Sequence, residues 1–376
     1  MNKRQAKHRN LCRSPLSLLI ALSLAGGVAH AQSTTGSIVG QVPAGMGDSV
    51  TLQSASGLQR DVAVDERGRY AANQLPLGNY TVILKHNGQA VQTRDNVALR
   101  VGTATDVSFT EAATKNLEGV SVTASALPAI DVTSVDSRTV LTSEQLAKLP
   151  LGYSAEAIAR LAPGAVNNSG GFASSTGGSL VSFGGSGANE NAYYINGFNT
   201  TDPLKSEGGL TLPYGSIDQE EAYTGGYSAQ YGRSDGGVLN MVGKRGTNEW
   251  HVGGRASWEP ASLRSSARNF YYENGQPNPP LATGTLYSPR EKNEYWITTY
   301  DAYVGGPLVK DKLFFFASAE MSRQQGSSVG TVTSASPYQT YKYRMPKWYA
   351  KLDWNINDSN ILELTGASNK RSYQAD

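Results

Sequence analysis

One cysteine, Cys12, and four histidines, His8, His30, His86 and His251, are all that 376 residues offer for thiolate or imidazole chemistry. Charge is scarce as well, with Asp, Glu, Lys and Arg making up 17% of the chain against 39% hydrophobic residues. The strongest apolar run, Leu16 to Ala25, falls short of the roughly 20 residues a membrane-crossing helix needs. These shortages exclude whole classes of function. Cys12, His8 and His30 lie in a segment expected to be removed, so the mature chain has no disulfide, no thiol nucleophile and no thiolate metal site. His86 falls at an expected turn and His251 on an expected strand, too few for a histidine metal centre or triad. Glu220 and Glu221 could act as acid and base, but no nucleophile stands beside them, and neither Ser-x-x-Lys nor His-Glu-x-x-His occurs. Neither a catalytic residue nor a cofactor is expected, and the chain does not read as an enzyme.

What the sequence does have is glycine, 41 of them, and tyrosine, 20 of them, a composition of turns and strands rather than helices. Residues 1–31 have the three parts of a cleavable secretory signal: a basic start, the apolar run, and Ala29-His30-Ala31 before Gln32. The apparent basic excess resides there, in Lys3, Arg4, Lys7, Arg9 and Arg13. Without them 28 basic residues stand against 31 acidic ones, and nothing in the balance suggests a nucleic-acid partner.

From Ser37 to Phe109 short segments of alternating polarity are separated by turns. Val62 and Val64, Tyr80, Val82 and Leu84, and Val107 and Phe109 show the period of half-buried strands, which predicts a β-sandwich. Gly36 to Gly40 (GSIVG), Gly68-Arg69-Tyr70 and Leu75 to Tyr80 (LPLGNY) resemble the carboxypeptidase regulatory-like domain, a prealbumin-like sandwich. Next, Glu118 to Ala124 (EGVSVTA) is a short extended segment ahead of Pro128. It is either a plain linker or a strand offered to a partner sheet.

Two short helices follow. Thr142 to Gln145 is a capping box whose helix must stop near Pro150, and Ser154 starts a second with Ile158 and Leu161 on one face, ended by Pro163-Gly164. Residues 169–187 are too glycine-rich for a regular element, and without a Lys-Ser/Thr they make a poor phosphate loop.

Residues 247–376 hold 20 of the 33 aromatic residues, including all five Trp. Trp250, Val252, Gly254, Ala256 and Trp258 share one face of an alternating segment. Trp348, Ala350, Leu352, Trp354 and Ile356 oppose Tyr349, Lys351, Asp353 and Asn355 in another, and Leu313, Phe315, Ala317, Ala319 and Met321 form a third face. Strands of 9 to 11 residues are expected, the length that crosses a bilayer at a tilt. The expected connections alternate: about 35 residues before a strand near Glu294 to Gly305, a tight turn at Gly306 to Lys312, about 25 residues from Ser322 to Trp348, and a tight turn at Asn357 to Asn360. That rhythm predicts a transmembrane β-barrel in outer-membrane lipid. With only about five strands before Asp376, it predicts an incomplete one.

Asn191 to Pro203 (NAYYINGFNTTDP), Ile217 to Arg233 (IDQEEAYTGGYSAQYGR) and Ser234 to Glu249 (SDGGVLNMVGKRGTNE) resemble the plug domain of TonB-dependent outer-membrane receptors of the Oar-like kind. The resemblance implies a mainly β chain in five parts: signal peptide 1–31, sandwich 32–112, linker 113–128, α+β plug 129–246, and the start of the barrel 247–376. It also implies active import of an extracellular solute, such as a siderophore, glycan or peptide, driven by a periplasmic TonB-type partner. Under it Val120, Ser121, Val122, Thr123 and Ala124 become a candidate TonB box. Asn196, Gly197, Tyr231, Gly232, Arg233, Gly236, Gly237 and Asn240 are the plug motif. Asn196 stands where the family more often has Asp. Close backbone approach is the expected reason for Gly225, Gly226, Gly236 and Gly237, and Arg233 and Lys244 are expected to pair with lumen carboxylates. The alternative reading is a surface adhesin or assembly protein using the same scaffold passively.

Overall fold

The structure is a computed structural model. It describes residues 35–99, 104–109, 137–149, 154–167, 179–227, 229, 231–277, 280–332, 334, 338–357 and 360–375. The expected signal segment, the linker 113–128 and the Val120 to Ala124 segment lie outside the described residues.

The first body is a sandwich of seven strands: β1 (Thr35–Gln41), β2 (Ser49–Ser54), β3 (Gln59–Ala63), β4 (Arg69–Pro76), β5 (Gly78–His86), β6 (Gln89–Leu99) and β7 (Ala104–Asp106). They form two sheets, ordered β4-β1-β7 and β3-β2-β5-β6, with β1 and β7 parallel and the other pairs antiparallel. Ile38, Val50, Leu52, Tyr70, Tyr80 and Val82 point inward from both sheets, as the period-two pattern requires. Burying each contributes about 1.5 to 3 kcal/mol. The two tyrosines satisfy their hydroxyls inside the core, Tyr70 donating to the carbonyl of Val107 at 2.5 Å and Tyr80 to that of Pro76 at 2.7 Å. Gly40 is required, since a Cβ there would sit 2.3 Å from the Val107 carbonyl oxygen.

The second body begins with β8 (Ser137–Thr142), α1 (Ser143–Lys148) and α2 (Ala155–Ala159), and continues through β9 (Ala165–Asn167), β10 (Val181–Phe183), β11 (Ala192–Ile195), β12 (Phe198–Asn199), β13 (Ile217–Gly225) and β14 (Val238–Gly243). Its five-stranded sheet runs β12-β11-β14-β13-β8, with β11 and β14 parallel. Thr142 caps α1 through the expected box, and the Ser154 hydroxyl caps α2 by accepting from the Ala157 N–H at 3.1 Å. Ile158 is buried as expected, but Leu161 is 41% exposed. With α2 ending at Ala159, Leu161 sits in the turn beyond the helix rather than on its packed face.

The third body is one antiparallel sheet, β15-β20-β21-β22-β23, built from β15 (His251–Glu259), β20 (Glu294–Val309), β21 (Leu313–Val329), β22 (Tyr338–Asn357) and β23 (Asn360–Asn369). Between β15 and β20 lie the short strands β16 (Phe270–Tyr271), β17 (Gln276–Pro277), β18 (Pro280–Leu281) and β19 (Leu286–Ser288), and β24 (Ser372–Ala375) pairs with the far end of β22. Nine-residue β15 and ten-residue β23 fit the expected span. The central strands are longer, with 16, 17 and 20 residues. The expected 25-residue connection from Ser322 to Trp348 is therefore mostly ladder, with β21 and β22 in register out to Val329 opposite Tyr338. Alternation of polarity stops where the outward apolar band ends, yet pairing continues because backbone hydrogen bonds do not need an apolar face.

The faces sort as the alternation requires. Val252, Trp258, Tyr300, Trp348, Trp354 and Leu364 are exposed on one side, whereas Phe314, Phe316, Ser318, Glu320, Tyr349, Lys351 and Asp353 are buried on the other. Eight residues separate Trp250 from Trp258, roughly 26 Å along a strand, close to the height of a lipid-facing band. Among the described residues no helix is long and apolar enough to cross a membrane. The inner face of the sheet packs on the second body, with Phe316 and Tyr349 in one cluster with Leu146, Ile158, Ile195 and Met241.

Candidate functional site: the plug against the barrel wall

The Asn196-Gly197 pair turns β11 into β12. Asn196 has φ 48° and Gly197 φ 78°, and Ile195 pairs with Phe198 across them. Positive φ at both central residues is the hairpin geometry that asparagine and glycine tolerate best. The turn aims the Asn196 amide at the barrel wall. Its Nδ2 donates to the Tyr349 hydroxyl at 3.2 Å and to the Thr365 hydroxyl at 3.3 Å, while its Oδ1 accepts from the N–H of Gly243 at 2.9 Å.

Behind the turn a buried polar chain fixes the motif. The Gly197 N–H reaches Oδ1 of Asn240 at 3.4 Å, and Asn240 Nδ2 donates to Oε2 of Glu221 at 2.9 Å. The Tyr223 hydroxyl donates to the same Glu221 oxygen at 3.3 Å and takes the Tyr231 hydroxyl at 3.2 Å. Glu221 thus serves as an acceptor inside the plug rather than as a general base. Burial pushes the Tyr223 hydroxyl pKa up, with the Glu221 charge adding to the effect.

Two of the four glycines behave as expected. A Cβ on Gly237 would lie 2.2 Å from the Phe183 ring, and one on Gly236 would lie 2.6 Å from Asn191 Oδ1. Gly226 is instead needed for its φ of 66°, and a Cβ on Gly225 would meet nothing within 4 Å, so close approach does not explain that residue. Gly232 and Arg233 form an exposed turn in which Arg233 has φ 65°. Arg233 is exposed on that turn and makes no ion pair with any described residue.

Lys244 does face carboxylates. Burial lowers its pKa, and the charges of Asp218 and Asp301 oppose that shift, while its ammonium lies 5.1 Å from the centre of the Tyr303 ring. The direct ion pairs are made one residue later. Arg245 lies 3.0 Å from Asp353 and 3.3 Å from Glu363 on the wall, and Lys351 joins the same two carboxylates at 3.5 and 3.2 Å. Farther along the wall Glu320 pairs with Lys347 at 2.9 Å and accepts the N–H of Tyr214 at 2.9 Å. The sequence signal for Lys351 and Asp353 was their shared polar face on β22. Arg245 had no signal beyond its place beside Lys244.

Glu156 on α2 and Glu220 on β13 are both buried, and three of their four carboxylate oxygens have no hydrogen-bond partner. Burial raises both pKa values, most for Glu220, which also feels the Glu156 charge. Between plug and wall, away from the short turns, a cavity of about 440 Å³ is lined by Arg160, Arg264, Tyr295, Tyr343, Lys347 and Arg371, with the Arg371 guanidinium 4.0 Å above the centre of the Tyr343 ring. Among the described residues no group of three or more His, Cys, Asp and Glu side chains is placed to hold a metal ion.

Residues 131–238 match the TonB-dependent receptor plug domain, and residues 40–112 match the carboxypeptidase regulatory-like domain. The TonB-dependent transporter Oar of Myxococcus xanthus is 30% identical over 329 residues, covering 82% of this chain and 29% of that protein. Among solved structures, the outer membrane transporter YddB from Escherichia coli is 20% identical with a TM-score of 0.45, over 62% of this chain and 33% of its own. The siderophore receptor PirA from Acinetobacter baumannii is 19% identical with a TM-score of 0.44, over 64% and 32%. The chain thus spans about 29% of the length of the transporter it matches. With a carboxypeptidase regulatory-like sandwich ahead of a plug seated on barrel strands, the chain belongs to the TonB-dependent receptors of the outer membrane, a family of transporters rather than enzymes.

Proposed function

We propose that this chain is the front of an importer. An extracellular solute binds at the outer face of plug and barrel, and a periplasmic TonB-type partner pulls on Val120 to Ala124 to move the plug and admit the solute. The domain division at 32–112, 113–128, 129–246 and 247–376 belongs to the same reading. The observation that carries it is the character of the plug–wall contact. One apolar cluster apart, the plug is held by side-chain hydrogen bonds from Asn196 and by ion pairs from Arg245. Such contacts, unlike a continuous apolar core, can be broken one at a time and remade with water when a pull is applied to the plug. The cavity, lined by Arg160, Arg264, Lys347 and Arg371, by Glu156, Glu259 and Glu320, and by Tyr295 and Tyr343, suits a polar solute with planar groups.

An extended segment pairing through main-chain hydrogen bonds bears tension, and Val120 and Val122 alternate onto one side of it, where partner pockets could take them. Val122→Pro removes a ladder donor. In cells carrying the full-length receptor, that variant is expected to lose uptake while cell-surface ligand binding is retained. Unchanged uptake would remove the segment from the mechanism, and retained surface adhesion without any uptake in the parent protein would favour the passive scaffold.

A further inference from the structure

Within the LPLGNY turn Leu75 and Tyr80 pack into the sandwich core, whereas Leu77 points away from it. Leu77, between β4 and β5, is absent from the sandwich cluster and is instead buried to 8% exposure in a pair with Val242 of plug strand β14. The same end of the sandwich reaches the plug again at Leu99, whose carbonyl accepts from Nε2 of buried Gln219 at 3.2 Å. It also reaches the barrel. The Ala55 carbonyl accepts the N–H of Asn248 at 3.3 Å. Gly57, at φ 73°, comes so close that a Cβ on it would stand 2.0 Å from Asp311 Oδ1. Asp311 is the tip of the short β20–β21 turn and is tied to Asn248 by hydrogen bonds of 2.7 and 2.9 Å.

One face of the sandwich therefore grips two bodies that must separate if the plug moves: the base of the plug sheet and the turn end of the barrel wall. The grip is narrow. Beside it lies a cleft of about 580 Å³ lined by Ser56, Asn79, Asp218, Lys244 and Asn248 together with Leu77, Tyr303 and Phe316, so the seam is not a continuous core. In sequence, residues 110–136 lie between the sandwich and plug strand β8, which pairs with β13, the strand that carries Gln219.

We propose that the sandwich is a latch: docked through Leu77, Leu99, Ala55 and Gly57, it clamps the plug to the periplasmic turn end of the barrel and must undock before the plug can move. The source of the tension rests on the import reading above; the docking does not. Leu77 makes the cleanest test because its side chain lies outside the sandwich core, so substitution there leaves the fold of both bodies intact.

The experiment uses the full-length receptor in outer-membrane vesicles and in cells. In a background with every native cysteine replaced by serine, Leu77→Cys or, as a control, Val91→Cys on the same sandwich supplies the thiol; Val91 is 49% exposed. A charged maleimide should label Leu77→Cys about tenfold more slowly than Val91→Cys or slower still. Equal rates would overturn the docking. In cells, Leu77→Asp should lower the inhibitory concentration of vancomycin, which an intact outer membrane excludes, by about fourfold as the unlatched plug opens more often. Slow labelling together with unchanged vancomycin susceptibility would overturn the latch and leave the sandwich a static spacer. An increase in susceptibility that persists in cells lacking the TonB partner would support the latch and count against that partner as the source of tension.

Discussion

The amide of Asn196 and the hydroxyl of Tyr349 meet at 3.2 Å, joining the tip of the plug hairpin to the inner wall of β22. Because the oxygen of that amide accepts from the Gly243 N–H while its nitrogen donates to Tyr349, a single side chain holds the plug's internal register and its seat at once. Asn196→Ala leaves a buried N–H unpaired, at about 1 to 3 kcal/mol, and puts alanine at a positive φ for about 1 to 2 kcal/mol more. Thermal melting in detergent should fall accordingly, with faster amide exchange at Gly243. Asn196→Asp keeps the acceptor for Gly243 and can accept from both wall hydroxyls, so its loss should be smaller.

Among the described residues Arg245 is the guanidinium that bridges Asp353 and Glu363 from the plug side. Arg245→Met removes it and leaves two carboxylates to Lys351 alone, an imbalance expected to cost on the order of 3 kcal/mol. The check is a double-mutant cycle with Glu363→Gln. The second substitution should recover part of the loss, and additive losses would contradict the coupling.

Glu156 and Glu220 give the plug a pH dependence of definite sign. Burial raises both pKa values, so the stability they support is complete below the ordinary carboxylate range and is lost as pH rises through the raised values. Exchange of the Ile158 amide, which sits on the helix above them, should therefore be faster at about pH 8 than at about pH 5 after correction for intrinsic chemistry. Glu220→Gln should flatten that difference.

Ala302 faces outward near the middle of the apolar band, in the row with Gly254 and Ala319. Ala302→Arg should cost roughly 2 to 4 kcal/mol of insertion and show as less heat-modifiable, folded protein on cold electrophoresis. Arginine at exposed Leu308, beyond the band, should be nearly silent.

Much of this was legible because strands declare their two faces by alternation. The WYAKLDWNI segment separated Trp348 and Trp354 from Tyr349, Lys351 and Asp353 without any structure, and the wall places them so. The capping box at Thr142 was equally plain, since it is a local hydrogen-bond pattern. Strand lengths were not legible, because β20, β21 and β22 continue past the point where polarity alternates. The pairing of Arg245 with Asp353, more than a hundred residues apart, leaves no local trace either.

The account turns on whether a periplasmic partner takes hold of Val120 to Ala124. Single cysteines placed in turn at residues 120 to 124 of the full-length receptor, with a cysteine scan across the TonB partner's periplasmic domain, read this directly as disulfide-linked complexes from cells. The account predicts efficient capture within this stretch, alternating in yield with strand period and abolished when Val122→Pro is added in a neighbouring-cysteine background. Capture at no position in the stretch, or at a level no higher than for cysteines on the exposed face of the sandwich, would contradict it.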